Sequence, residues 1–226
     1  MFKDLLSFWK GKDFLLQVME DFKIMLDEAE SMFQLVCARL TGGGDKPEPE
    51  LKERIYGIDK KINDLQKEIR RRIVEHLSLQ PTVDVNACLI LMSVVKDAER
   101  LGDYAKNLYE VTELLDHPID KALFSQYFDG LDSEIVTLFA QARDAFVEGD
   151  EDKAKSAWDY EKRIAKGCDK IVADVARSDL SVNEAVCTAL VARHFKRIVA
   201  HLVNIATSVI LPLSDLDYFD ERTREK

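Results

Sequence analysis

Apolar residues recur every three or four positions along most of the chain, which is the spacing of one face of an α-helix. Between Phe14 and Leu40 this spacing produces a wide apolar stripe. A second stretch alternates steps of three and four residues, as the seam of a helical bundle does, through Ile55, Ile58, Ile62, Leu65, Ile69 and Ile73. A third stretch extends from about Asp84 to Leu115. The first half of the chain is therefore predicted to form three long helices.

The second half shows the same arrangement. A fourth helix is predicted at roughly Lys121–Glu148, and a fifth follows the turn EGDED and ends near Ala176. The sequence SVNE, residues 181–184, places a serine and a glutamate three positions apart, which is the pattern of a capping box. It predicts the start of a sixth helix, which we expect to end near Ile210.

The two halves also align with each other. The corresponding residues are Arg100 and Arg197, Leu101 and Ile198, Asn107 and Asn204, and, on the second and fifth helices, Asp59 and Glu161. We therefore predict an all-α fold of two tandem three-helix bundles, six long antiparallel helices produced by an internal duplication. The predicted domains are residues 1–116, a first repeat with an amphipathic N-terminal segment, and residues 117–226, a divergent second repeat.

Composition limits the classes of protein and of partner. The 226 residues are 46% hydrophobic and 33% charged, and the net charge of −10 disfavours nucleic acid as a partner. No apolar run approaches the roughly 20 residues of a membrane span. The start MFKDLLSFWK has no signal-peptide core, and it can cover the end of a bundle, dock to a partner or lie on a membrane surface. We expect a cytoplasmic protein, at most peripherally associated with membranes, with four reduced cysteines.

The third helix contains the segment DAERLGDYAKNLYE, residues 97–110, which carries the candidate chemistry. Glu99 and Asp103 are one helical turn apart and repel each other by about 0.2–0.5 kcal/mol, and Asn107 follows one turn later. Gly102 costs the helix about another 0.5–1 kcal/mol relative to alanine. Asp59 on the second helix is predicted to face the same groove.

A cation would stabilise such converging oxygen ligands. Carboxylate and amide oxygens suit hard ions such as Mg²⁺, Ca²⁺, Mn²⁺ or oxidised iron. The sequence therefore predicts a metal site formed by Asp59, Glu99, Asp103 and Asn107. The alternative is a set of ordinary surface ion pairs, because Lys96 and Lys106 each lie three residues from one of the acids.

The segment ERLGDYAKNLYE resembles the E-R-I-G-D-H-A-x-N-I-A-E signature of the PhoU family of phosphate-uptake regulators. The resemblance extends to the D/E-K-K-I/V pattern of the second and fifth helices and to the duplicated architecture. It implies two three-helix bundles whose signature acids bind clusters of iron, zinc or similar cations. It also implies negative regulation of phosphate uptake, with a phosphate transporter ATPase and a sensor histidine kinase as partners. A homodimer is compatible with such an adaptor.

The second repeat departs from this signature. Lys196 stands in place of the glutamate, Val199 in place of the glycine and Ala200 in place of the aspartate. Because an ammonium group opposes a nearby cation, we expect no metal cluster in the second bundle. His194 and His201 share a helix face, but two ligands are too few for a metal site, so we interpret them as polar or packing residues.

The leading interpretation is a non-catalytic regulator of phosphate uptake and phosphate-responsive signalling, with no organic cofactor. A carboxylate-bridged metal oxidase would need Glu-x-x-His motifs, and the chain has none. No Walker loop or glycine-rich phosphate cradle occurs either. Two alternatives stay open: an accessory regulator of another ion or Na⁺/phosphate transporter, and a helical-bundle metal-binding protein without a role in phosphate uptake.

Overall fold

The computed structural model of the chain describes residues 13–42 and 49–218, and within these ranges it contains helices and no strand. The α-helices are α1 (Asp13–Gly42), α2 (Pro49–Leu79), α3 (Val85–Leu114), α4 (Lys121–Phe128), α5 (Leu131–Glu148), α6 (Glu151–Val175) and α7 (Val182–Thr207). A short 3₁₀ turn, Leu213–Asp215, follows α7. The predicted all-α fold is confirmed.

Each half of the chain forms one three-helix bundle. Helices α1, α2 and α3 pack against one another, and so do α5, α6 and α7. The isoleucines that form the seam of α2 are buried as predicted, with Ile55, Ile62, Ile69 and Ile73 almost fully inaccessible to solvent. The two bundles also contact each other, since α3 packs along α7 and α1 packs against α5.

Aromatic side chains connect the two bundles through one continuous apolar core. The ring of Phe22 on α1 lies 4.8 Å from that of Phe146 on α5, measured between centroids. Phe33 lies about three turns further along the same face of α1, and its ring contacts those of Phe139 and Phe195. The predicted domain boundary at residue 116 falls in the connection between α3 and α4, and it stays a prediction.

The single helix predicted at Lys121–Glu148 is wrong, because the chain divides it into α4 and α5. Asp129 and Gly130 adopt left-handed backbone conformations, with φ of 44° and 79°, and these end α4 before α5 begins. A right-handed helix cannot continue through two such residues. The apolar spacing runs through the break on both sides, which is why periodicity alone predicts one helix.

The capping box at the start of the sixth predicted helix is confirmed at α7. The hydroxyl of Ser181 accepts a hydrogen bond from the Glu184 amide at 3.2 Å, and the Glu184 carboxylate accepts one from the Ser181 amide at 3.1 Å. All four cysteines are buried free thiols. The predicted amphipathic start Met1–Lys10 and the charged C-terminal tail lie outside the described residues.

Nowhere in the described ranges is a helix both long enough and apolar enough to cross a membrane.

Helices α2 and α3 approach each other closely at Gly102, which is buried. A Cβ atom built on Gly102 would lie 2.9 Å from Cδ1 of Ile62, a side chain that is itself 1% exposed. Gly57 on α2 offers the opposite case, since a Cβ atom there would meet no atom within 4 Å. The helix-interior glycine at position 102 is thus explained by packing alone.

We expect Gly102→Val to lower the free energy of unfolding by about 1–3 kcal/mol, because the added methyl groups overpack the contact with Ile62. Gly57→Ala is the matched control, and it should raise stability by about 0.5–1 kcal/mol through helix propensity. Urea unfolding followed by circular dichroism measures both. A Gly102→Val protein as stable as the wild type would show that α2 and α3 can separate there without cost.

Candidate functional site

Polar side chains on α2 and α3 pair across the groove between the two antiparallel helices. Lys52 contacts Glu113 at 2.9 Å, and the Tyr56 hydroxyl donates to Glu110 at 3.0 Å. One turn further along α2, Asp59 meets Lys106. We call the part of the groove formed by Asp59, Glu99, Arg100, Asp103 and Lys106 the signature groove. Helix periodicity puts these side chains on one edge of the first bundle.

Lys106 connects the two helices at the centre of the signature groove. Its ammonium nitrogen lies 2.9 Å from Oδ1 of Asp59 on α2 and 3.3 Å from Oδ1 of Asp103 on α3. Burial of Lys106 lowers its pKa, but the hydrogen bond to Asp59 and the two negative charges outweigh burial and raise the pKa above its ordinary value. Lys106 is therefore charged at neutral pH.

Three further carboxylate oxygens of the groove also face protein groups. Nη1 of Arg100 lies 2.8 Å from Oδ2 of Asp103, and Nε of Arg100 lies 3.7 Å from Oε2 of Glu99. The amide of Asn63 donates to Oδ2 of Asp59 at 3.5 Å. The chain thus supplies a donor to each oxygen of both aspartates.

The surroundings of Glu99 disfavour its negative charge. Burial raises its pKa above the ordinary value, and the negative charge of Asp103 adds to this rise. The positive charges of Arg100 and Arg70 oppose it in part. Only 17% of the Glu99 side chain is exposed, so solvent does little to stabilise the charged form.

The structure brings Asp59, Glu99 and Asp103 to one groove, as the sequence predicts. Asn107 lies one turn further along α3, half-buried, and among the described residues it makes no hydrogen bond to this group. No three His, Cys, Asp or Glu side chains of the described ranges converge as a metal site requires. As the side chains are arranged, they do not fit a metal ion shared by Asp59 and Asp103, because Lys106 holds that position. Metal binding here stays a prediction.

In the second bundle the position that corresponds to Glu99 carries the opposite charge. Lys196, which aligns with Glu99, lies 2.6 Å from a carboxylate oxygen of Asp169 on α6. Arg193 approaches the other oxygen of Asp169 at 4.0 Å. In both repeats a lysine on the third helix therefore pairs with an aspartate on the second helix, Lys106 with Asp59 in the first bundle and Lys196 with Asp169 in the second.

A polar contact between the two bundles has no counterpart among the predictions from the sequence. Asp97 on α3 is 5% exposed, and its Oδ1 lies 2.7 Å from Nδ1 of His201 on α7. The side-chain amide of Asn204 donates to the same oxygen at 3.3 Å. Because these partners are more than one hundred residues apart in the sequence, helix spacing gives no signal for the pair.

Both histidines of α7 pack against one aromatic ring of α3. The ring of Tyr104 lies 5.6 Å from that of His201 and 5.9 Å from that of His194, measured between centroids. Burial lowers the pKa of His194 below its ordinary value, against a smaller opposite effect of Glu110. The interpretation of the two histidines as polar and packing residues agrees with these contacts.

Comparison with known proteins places both repeats in one family. The family model of the PhoU domain matches residues 22–112 and 132–209. A phosphate-specific transport system accessory protein PhoU homolog of Clostridium acetobutylicum is 23% identical over 177 residues, which are 74% of this chain and 78% of the relative. A homolog with the same description in Synechocystis sp. is 28% identical over 169 residues, 69% of this chain and 71% of the relative.

Solved structures show the same fold. The crystal structure of PhoU from Pseudomonas aeruginosa superposes with a TM-score of 0.78 at 21% identity, covering 89% of this chain and 97% of the other. The phosphate transport system regulatory protein PhoU from Streptococcus pneumoniae superposes with a TM-score of 0.70 at 18% identity, covering 88% and 95%. The predicted pair of three-helix bundles is therefore an arrangement already seen in crystals.

Proposed function

Because this chain belongs to the PhoU family, we propose that it is an accessory regulator of a phosphate transport system, without catalytic activity of its own. The observation that carries the proposal is the match of the PhoU domain to both repeats, residues 22–112 and 132–209, rather than to the signature segment alone. Relatives that align with about three quarters of the chain are named as accessory proteins of the phosphate-specific transport system.

The surfaces of the two bundles give this role a physical basis. A regulator without a reaction centre acts by binding, and long amphipathic helices offer extended faces to a partner. The partners we propose are the ATPase of a phosphate transporter and a sensor histidine kinase, on the cytoplasmic side of the membrane. The net charge of −10 favours contact with basic surfaces of such partners.

Deletion of the encoding gene tests the proposal. We expect the rate of [³²P]phosphate uptake in phosphate-rich medium and the activity of a phosphate-responsive promoter to rise, since the family resemblance implies negative regulation. Complementation with the wild-type gene should restore both, and an empty vector should not. Unchanged uptake together with unchanged promoter activity would contradict the proposal.

The second bundle motivates one alternative partner. It has Lys196 in place of the signature glutamate and Ala200 in place of the aspartate, so its outer surface differs from that of a symmetric duplicate. A regulator of another ion transporter, or of a Na⁺/phosphate carrier, would fit such a divergent half. Affinity purification from the native membrane distinguishes the two, because the phosphate transporter ATPase should be recovered under the leading proposal and a different carrier under the alternative.

A further inference from the structure

In the signature groove a lysine lies between the two aspartates, in the position that a metal ion bound to both of them would occupy. The ammonium group of Lys106 is within 3.3 Å of Asp59 on one helix and of Asp103 on the other. Its side chain is 20% exposed, so most of its length is packed between the helices instead of extending into solvent. This placement differs from that of an ordinary surface lysine, which pairs loosely with one acid.

We infer that Lys106 is a tethered counter-ion, which occupies the position between Asp59 and Asp103 and competes with metal ions for their oxygens. A metal ion must approach carboxylate oxygens to about 2.0–2.6 Å, as Mg²⁺ and Ca²⁺ do. An ammonium group hydrogen-bonded to the same oxygens blocks that approach and repels the ion. Metal binding to both aspartates therefore requires the displacement of Lys106.

Positively charged side chains of the protein itself offset the negative charge of the groove. The acids of the groove are Asp59, Glu99 and Asp103, and Arg100 binds the second oxygen of Asp103 at 2.8 Å. Arg70 on α2 contributes a further positive charge near Glu99. Because the repulsion between the acids is already offset, a metal ion is not needed to hold α2 and α3 together.

Binding of Mn²⁺ to the purified full-length chain tests the inference. Electron paramagnetic resonance of free Mn²⁺ gives the dissociation constant of the wild type and of Lys106→Met, which keeps the length of the side chain and removes its charge. We expect the variant to bind Mn²⁺ about tenfold more tightly or better, since two carboxylates on facing helices lose their bound cation. Adding Asp103→Asn to Lys106→Met should abolish the gain.

The matched control is Lys61→Met, which changes the net charge by the same amount. Lys61 pairs with the single acid Glu28, at 2.5 Å, so its loss opens no pair of carboxylates. We expect no gain in Mn²⁺ affinity from this variant. Lys106→Arg, which preserves the charge, should also bind Mn²⁺ as weakly as the wild type.

Thermal unfolding gives a second readout that does not depend on the resonance signal. A ligand that binds only the folded state raises the melting temperature. A concentration of Mn²⁺ that just saturates Lys106→Met should therefore raise the melting temperature of that variant and leave the melting temperature of the wild type nearly unchanged. If Lys106→Met unfolds too easily to assay, Lys106→Gln replaces it. Equal Mn²⁺ affinity of the wild type and the charge-removing variant, at any strength of binding, would overturn the inference.

Discussion

Replacing Phe33 with alanine is expected to lower the free energy of unfolding by about 3–5 kcal/mol, the usual cost of deleting a buried aromatic side chain. Phe33 is completely inaccessible to solvent, although it lies on α1 of the first bundle. Its ring is 5.9 Å from Phe139 on α5 and 5.3 Å from Phe195 on α7. The substitution therefore opens a cavity in the core that both bundles share.

Fluorescence of Trp158 shows whether this loss reaches the second bundle. Trp158 lies on α6, and a Trp9→Phe background leaves it as the single tryptophan. We expect Phe33→Ala to move the urea midpoint seen by Trp158 as far as the midpoint seen by circular dichroism. Leu16→Ala, on the same helix at a side chain that is 43% exposed, is the control and should change stability by no more than about 0.5 kcal/mol. A Trp158 transition unaffected by Phe33→Ala would show that the bundles unfold independently.

Helix periodicity predicts the architecture because each long helix buries one apolar face. The spacing of the isoleucines in α2 identifies the seam that packs on α3, and the capping box identifies the start of α7. The break between α4 and α5 escapes this reasoning, since the buried residues Phe128 and Leu131 keep the helical spacing on either side of it. Backbone conformation at Asp129 and Gly130, and not the apolar pattern, ends α4.

The candidate site could be predicted only in part. The signature identifies Glu99 and Asp103, and the alternative of surface ion pairs correctly includes Lys106 with Asp103. The second contact of Lys106, to Asp59, depends on how α2 and α3 are rotated against each other. That rotation depends on side-chain packing between the helices, where Gly102 lies close against Ile62. Spacing along a single helix contains no information about it.

The polar contact between the bundles has a counterpart that the duplication relates to it. In the alignment that pairs Arg100 with Arg197, Asp97 corresponds to His194 and Tyr104 to His201. The contacts of Asp97 with His201 and of Tyr104 with His194 are therefore the same contact with the repeats exchanged. Only the first of these two contacts is a hydrogen bond to a buried acid. The interface between α3 and α7 has therefore lost the symmetry of the original duplicate.

We expect Asp97→Ala to lower the free energy of unfolding by about 1–3 kcal/mol, because it removes a buried hydrogen-bond acceptor and leaves the polar groups of His201 and Asn204 without their partner. Urea unfolding of Asp97→Ala, His201→Ala and the double variant gives the coupling energy of the pair, expected at about 0.5–3 kcal/mol. Glu53→Ala, at an exposed acid of α2, is the control and should change stability by no more than about 0.5 kcal/mol. Additive effects of the two substitutions would contradict this expectation. They would mean that Asp97 and His201 stabilise the interface between α3 and α7 separately, by packing and not through their hydrogen bond.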